Sequence, residues 1–359
     1  MKKLLLTLAF IGVLSAAKPG QAQDAPTAPV ALPAGVAAAP FVWQLRLKAG
    51  QKWLTTTETS TQTSQQMPVM PGMPRGAAPL QIETTAQTRT TTEQNVVSSD
   101  EKGARVEFIY RGITQNTKMR QGDKVVYDSA TPTGAMKNMG EMLKAMTGAR
   151  ISYLVAPDGE ISDVQGVEDY LNRMSQGIEK AFAGAPGAAA QQETQRKSMS
   201  AFLSPDTLKS SFGASNHAMP KTSVAPGETW KYSVTTPIMG TAFTQNGEAT
   251  FVSRLNGVVT IAQKGSFSTD AGAEFKMPGA APRTKNAPAP ITQLDLQGTS
   301  SGEITVDENT GMTLSSHITQ NLEGEIVMSG LTGKGSTLTI PMKMKAESTV
   351  KTEEVPATP

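Results

Sequence analysis

The chain has 359 residues, with 33 basic and 31 acidic side chains and no cysteine. The lack of cysteine excludes disulfides, thiol catalysis, cysteine metal sites and a lipid anchor attached through a thiol. Basic and acidic side chains are nearly equal in number, whereas nucleic-acid binding proteins typically carry an excess of basic residues. We therefore expect no nucleic-acid partner.

Residues 1–22 have the pattern of a secretory signal peptide. Lys2 and Lys3 precede an apolar run, and small residues flank two candidate cleavage sites, after Ala17 and after Ala22. The run is shorter than the roughly 20 residues of a spanning helix. We therefore predict a secreted or periplasmic protein whose mature chain has no transmembrane segment. Cleavage after Ala22 removes three lysines, which leaves 30 basic against 31 acidic residues.

Stretches rich in Ala, Pro and Gly divide the remaining chain. Such stretches offer little to bury and lack ladder donors, so they favour linkers over central strands. We predict an Ala/Pro-rich linker at 23–40, a β-rich module with helices at 41–183, a linker with short helices at 184–222 and a second β-rich module at 223–355.

Alternation of apolar and polar residues with a period of two is the main structural signal. It occurs at Trp43–Leu47, and most clearly at Met312–Met328 and Leu338–Val350. This pattern indicates antiparallel strands with one buried face. The threonine-rich run Thr55–Thr61 has no apolar face and favours an exposed or rim strand. The predicted fold class is β-rich α+β, with two similar modules of long, curved antiparallel sheet and about one covering helix each.

Two segments carry helical periodicity. The first spans about Gly134–Met146, where methionines recur on one side. The second spans about Val167–Phe182, where Val167, Leu171, Met174 and later apolar residues form an amphipathic stripe.

The two halves share a short motif. Gly50-Gln51-Lys52-Trp53 and Gly227-Glu228-Thr229-Trp230 each lead into a threonine-containing strand, 177 residues apart. Strand–turn–strand patterns also occur around Gly159 and around Gly311, 152 residues apart. We predict an internal duplication with changes of loop length.

The chain also has a Tyr-Asp-Ser segment at 127–129 and a patterned segment from Val155 to Gly166. With these motifs it resembles an uncharacterised family of exported bacterial proteins, which is classified as a domain of unknown function. The resemblance covers most of the chain after Phe41. It implies no activity, cofactor or site residue.

No catalytic motif is present. His317 lies on the polar side of a predicted strand, and His217 lies in a loop without a nucleophile motif. Asp158, Glu160 and Asp163 are close in sequence, but Asp158 has an ordinary role in a turn. We predict a non-enzymatic protein without a cofactor. The alternative is a hydrolase whose active site sequence motifs do not reveal.

Methionine supplies a weak metal candidate. Met67, Met70 and Met73 recur every third residue in a Pro-rich loop, and thioethers select Cu(I). Low sequence complexity explains the same spacing, so we predict no tightly bound metal.

One apolar stripe is a candidate ligand face. It consists of Met312, Leu314, Ile318, Leu322, Ile326 and Met328. Either a helix covers this stripe, or a curved sheet leaves a cavity for a lipid-like ligand. The hypothesis is a binding or interaction module of the cell envelope, whose partner is a hydrophobic small molecule or an envelope protein.

Overall fold

The computed structural model describes residues 39–68, 79–129, 145–182, 208–209, 212–213, 216–238, 241–270, 274–275, 291–329 and 337–356. The helix α1 (Val167–Phe182) lies where the apolar stripe predicted it. Helical residues also occur at 145, 208–209 and 212–213. The strands are β1 (Lys52–Met67), β2 (Leu80–Asp100), β3 (Gly103–Gln121), β4 (Lys124–Asp128), β5 (Arg150–Val155), β6 (Ile161–Gln165), β7 (Thr229–Ile238), β8 (Thr241–Leu255), β9 (Val258–Thr269), β10 (Glu274–Phe275), β11 (Ile291–Asp307), β12 (Thr313–Ser329) and β13 (Thr337–Glu354). The predicted helix at 134–146 and most of the predicted linker at 184–222 lie outside the described residues.

All thirteen strands form one antiparallel sheet, which confirms the β-rich prediction. The order along the sheet is β6-β5-β3-β2-β1-β13-β12-β11-β9-β8-β7, with β4 paired to β3 and β10 paired to β11. Each half of the chain is a meander whose strands follow chain order. The two meanders meet where β1 pairs with β13, with Trp53 opposite Glu354 and Gln65 opposite Met342. The first and last strands therefore join the halves into a continuous sheet.

The sheet has one buried and one wet face, as the alternation predicted. On β13, Ile340, Met342 and Ala346 are buried, while Lys343 and Lys345 are exposed. We call the face that carries the buried residues of β13 and its neighbours the inner face, and the opposite one the outer face. The register places Trp53 and Ile304 on the inner face as well.

The sheet curls so that its two edges approach each other at one end. A flat sheet of eleven strands would separate its edge strands by about 48 Å. The turn at Asn216–Ala218 lies against edge strand β7, because Trp230 Nε1 of β7 donates to the Ala218 carbonyl at 2.7 Å. Yet the Asn216 side chain in this turn donates to the Gly159 carbonyl in the β5–β6 hairpin at the other edge, at 3.1 Å. Met312 at the start of β12 also packs against a cluster around Trp53 and Val155. The inner face is therefore concave.

Segment 41–47 fills the concave side at this end and is not a strand. Trp43 is buried and donates from Nε1 to the Gly311 carbonyl at 2.9 Å. The Leu45 amide donates to the Pro157 carbonyl at 2.8 Å. The prediction of a strand at Trp43–Leu47 is therefore wrong. Its apolar residues alternate because one side of this extended segment packs against the core. Its backbone bonds go to turns and one isolated bridge, Phe41 with Val224.

The prediction of an exposed, threonine-rich rim strand is wrong. β1 is a central strand, and Thr55, Thr59 and Thr61 are buried on its inner face. The Thr55 hydroxyl lies 3.2 Å from that of Thr352, and the Thr59 hydroxyl lies 3.2 Å from that of Ser348. Paired hydroxyls lower the cost of burying polar groups, so a strand without apolar residues can lie inside.

Helix α1 packs on the inner face of the first meander. Tyr170 and Met174 are buried in a cluster with Ile151 of β5. Glu168 and Asp169 lie in the first turn, where carboxylates interact favourably with the helix dipole. The helix thus covers part of the concavity.

Candidate functional site

The two histidines lie in different elements. His317 is exposed on the outer face of β12, as predicted. His217 lies in a short 3-10 turn at Asn216–Ala218. Among the described residues, no group of three or more His, Asp or Glu side chains could hold a metal ion.

The carboxylates of the β5–β6 hairpin make structural contacts. Asp158 Oδ1 accepts from the Glu160 amide at 3.1 Å, which is the turn role expected from the sequence. Asp163 accepts from the Gln165 side chain and pairs with Arg105. These hydrogen bonds, from Gln165 first and then Arg105, lower the pKa of Asp163. The two carboxylates are thus engaged in the turn and in an ion pair.

The methionine candidates are only partly described. Met67, the last residue of β1, is buried on the inner face opposite Leu80. Met70 and Met73 lie outside the described residues. The structure therefore describes one thioether of this set, and it lies in the interior.

The candidate ligand face on β12 is buried at one end and accessible in the middle. Ile326 and Met328 are buried at 2% and 1% exposure. The other four residues are half-buried: Met312, Leu314, Ile318 and Leu322. Helix α1 lies on the first meander and packs mainly against β5, so the predicted helical cover of this stripe is not α1.

A shallow cavity lies across five neighbouring strands. It has a volume of about 560 Å³ and touches β2, β1, β13, β12 and β11. Its lining alternates along each strand, with Leu322 and Met344 from inner-face positions and polar residues from outer-face positions, such as Gln62, Asn321 and Lys345. Most of the residues that line this cavity have polar side chains.

Sequence reasoning missed the inner face of β9 and β11, which lies beside the predicted stripe. Gln263 and Ser300 are buried there, and Gly298 and Gly302 face the same side. The only signal in the sequence is a run of small residues at alternate positions of β11. A run of small residues does not by itself indicate a function, and its neighbours are known only from the register of β11 with β9 and β12.

Fold and site define a class: a β-rich protein with one curled antiparallel sheet and a concave, partly apolar face. The chain belongs to the family of unknown function DUF6263, whose model matches residues 101–313. This confirms the predicted resemblance to a domain of unknown function. Comparison with curated protein sequences finds no significant match.

Solved structures show only distant likeness. A structure of lipovitellin, described in terms of lipid–protein interactions, has a TM-score of 0.41 and 7% identity over 87% of this chain and 26% of that one. This chain thus spans about a quarter of that chain. The outer membrane protein OprG from Pseudomonas aeruginosa has a TM-score of 0.26 and 8% identity over 85% of this chain and 97% of that one. Among the described residues, no helix is long and apolar enough to cross a membrane.

Proposed function

We propose that this protein is an exported, non-enzymatic binding protein of the cell envelope that holds a hydrophobic ligand on the inner face of its sheet. One observation carries the proposal. The apolar stripe of β12 remains partly open at Ile318 and Leu322, whereas its end at Ile326 and Met328 is closed.

The position of this opening supports a ligand site over a simple packing defect. Ile318 and Leu322 lie on the inner face in the middle of β12, with strands paired on both sides. Concave, mostly apolar surfaces with a few polar groups are typical of small-molecule sites. The neighbouring Met344 adds a flexible side chain that adapts to different guests.

The proposal of export rests on the predicted signal peptide at residues 1–22. A single experiment tests export and ligand together. Native mass spectrometry of protein purified from its own host envelope should show a chain that lacks residues 1–17 or 1–22 and carries the extra mass of a lipid-like molecule. A full-length chain recovered from the cytoplasm would contradict export.

Binding is tested with an uncharged fluorescent lipid and two variants of adjacent residues. Leu322→Glu places a charge on the inner face and should weaken lipid binding at least tenfold, because a carboxylate is costly to desolvate. Asn321→Glu places the same charge on the exposed outer face and should bind like the wild type. Absence of lipid binding by the wild-type protein, or equal effects of the two variants, would contradict the proposed function.

We infer that the two meanders descend from an internal duplication. The turns before β1 and β7 support this because four hydrogen bonds recur in them. The Gly50 amide donates to Val96 O at 2.9 Å, as the Gly227 amide donates to Phe251 O at 2.7 Å. In the second pair, the Val96 amide donates to Gln51 O and the Phe251 amide donates to Glu228 O. In the third, the Gln51 amide donates to Lys48 O and the Glu228 amide donates to Ala225 O. In the fourth, the Lys48 amide donates to Gln51 Oε1 and the Ala225 amide donates to Glu228 Oε2.

A further inference from the structure

The two edges of the sheet are built differently. At one edge, β6 has only five residues, Asp163 has a φ of +45°, and the Arg105 side chain donates to the Asp163 carbonyl at 3.3 Å. At the other edge, β7 pairs with β8 over ten residues without a shift in register. Native sheets protect their edges with short strands, bulges, prolines or charges. The β6 edge is protected in this way, whereas the β7 edge is long and regular.

Every second residue of β7 directs its backbone groups away from β8. The Phe251 amide donates to the Glu228 carbonyl at 3.0 Å, and bonded pairs alternate along an antiparallel ladder. The even-numbered residues of β7 therefore bond to β8, and the amide and carbonyl groups of Lys231, Ser233 and Thr235 point outward. In the described part of the chain, no backbone hydrogen bond joins these outward groups to another segment. Such a row of groups is a template for an added strand.

The corresponding groups of β1 already bind a strand. The Val355 amide donates to the Lys52 carbonyl at 2.8 Å, so the even-numbered residues of β1 bond to β13. The shared turns align Leu54 of β1 with Lys231 of β7, and β13 places Glu353 opposite Leu54. The strand orders of the two meanders also correspond, as β1-β2-β3-β5-β6 and β7-β8-β9-β11-β12. Among the described strands, β7 lacks the neighbour that β13 provides for β1.

Charge indicates which kind of strand fits this edge. Lys231 is exposed and is the only charged residue of β7. In the register of β13 on β1, a residue at the position of Glu353 lies opposite Lys231, and opposite charges stabilise a strand pair. Antiparallel pairing of β7 with β7 of a second copy about Ser233 would instead place Lys231 opposite Thr235, without an acidic partner. The lysine therefore favours a different strand that carries a carboxylate.

We propose that the open edge of β7 binds an extended strand of a partner protein, antiparallel to β7 and with a carboxylate opposite Lys231. The backbone groups of Lys231, Ser233 and Thr235 hold this strand, and the lysine side chain selects its acidic residue. The register rests on the proposed duplication. The inference goes beyond the proposed lipid ligand, because it assigns a protein partner to a different surface.

The probe is a labelled peptide with the sequence of residues 346–355, the part of β13 that pairs with the first half of β1. Fluorescence anisotropy should show saturable binding to the full chain. Ser233→Pro removes one outward amide and should weaken binding about tenfold, as the loss of one hydrogen bond implies. Its urea unfolding midpoint should stay close to that of the wild type, because proline at an edge strand spares the bonds to β8.

Charge exchange tests the same site without proline. Lys231→Glu should weaken binding of the peptide about threefold, and a peptide with Glu353→Lys should restore binding to this variant. Lys343→Glu, on the exposed outer face of β13, is the matched control and should bind the original peptide like the wild type.

The outcomes separate the possible occupants of the edge. No binding by the wild type, equal binding by wild type and folded Ser233→Pro, or failure of the charge exchange would overturn the inference. A dimer of the protein alone that Ser233→Pro dissociates would overturn it in favour of a second copy. Each of these results would leave the proposed lipid binding standing, because Leu322→Glu tests that site separately.

Discussion

At the scale of single residues, the core of the first meander depends on buried tyrosines. Tyr153 is buried and stacks on Phe212, with ring centroids 5.1 Å apart. The Tyr170 hydroxyl donates to Met146 Sδ at 3.0 Å and its ring lies against that of Tyr110. Burial raises the pKa of each of these three phenols above its ordinary value. They are therefore neutral, packed groups rather than reactive ones.

This burial predicts a specific alkaline behaviour. A phenol whose pKa is higher in the folded than in the unfolded protein adds stability below about pH 10, and this stability is lost as the pH rises above that value. Near-ultraviolet absorbance of tyrosinate should therefore appear together with unfolding, monitored by circular dichroism. Tyr153→Phe should shift this transition to higher pH. Ionisation of most of the five tyrosines in the folded protein near pH 10 would contradict the prediction.

At the scale of elements, the turns that precede β1 and β7 show how the sequence sets the start of each meander. Gly50 and Gly227 have φ values of +88° and +87°, a conformation that L-residues avoid. An added Cβ would meet no atom within 4 Å at either position, so only the backbone conformation requires glycine. The shared Gly-x-x-Trp motif therefore encodes a turn, and the tryptophan that follows opens a strand.

The paired turns give a stability prediction. Gly50→Ala and Gly227→Ala should each lower the free energy of unfolding by about 1–2 kcal/mol, the cost of the left-handed conformation. Urea unfolding should give equal losses for the two variants, because the turns have the same hydrogen bonds. Gly112→Ala is the control, since that strand glycine lacks a positive φ and its added Cβ also meets nothing within 4 Å. Clearly unequal losses at Gly50 and Gly227 would count against the duplication.

At the scale of the whole molecule, one short segment ties distant parts of the sheet together. Residues 41–47 contact the β5–β6 turn through Pro157 and the β11–β12 turn through Gly311, and Phe41 bridges to Val224 ahead of β7. These contacts link both meanders at the curled end. The segment therefore stabilises the closure of the sheet as well as its own local packing.

Removing the largest side chain of this segment tests its role. Trp43→Ala should lower the free energy of unfolding by about 3–5 kcal/mol, because it leaves a cavity and an unpaired carbonyl at Gly311. Val42→Ala, at an exposed neighbouring position, should have an effect within about 0.5 kcal/mol. Urea unfolding of both variants gives the comparison. Similar losses for the two would show that the segment is not part of the core.

Sequence reasoning recovered the local structure well. The bounds of α1, the buried parity of β12 and β13, and the exposed position of His317 all follow from periodicity, which depends only on the geometry of a helix or strand. It failed at Thr55–Thr61, since burial of a polar strand depends on hydroxyl partners 297 and 289 residues away. It also missed the burial of Gln263, because this burial depends on the strands that pair with β9 and on what packs over them.

By itself, the sequence determined the antiparallel β-rich class, the amphipathic helix and the glycine turns, because each depends on neighbours within a few residues. The sequence also determined the family, whose model matches residues 101–313. Only the tertiary structure decided that β1 pairs with β13, that the sheet curls, and that the Gln263 amide is buried without a hydrogen-bond partner. These features depend on contacts between residues far apart in the chain, and one sequence carries no direct record of such contacts.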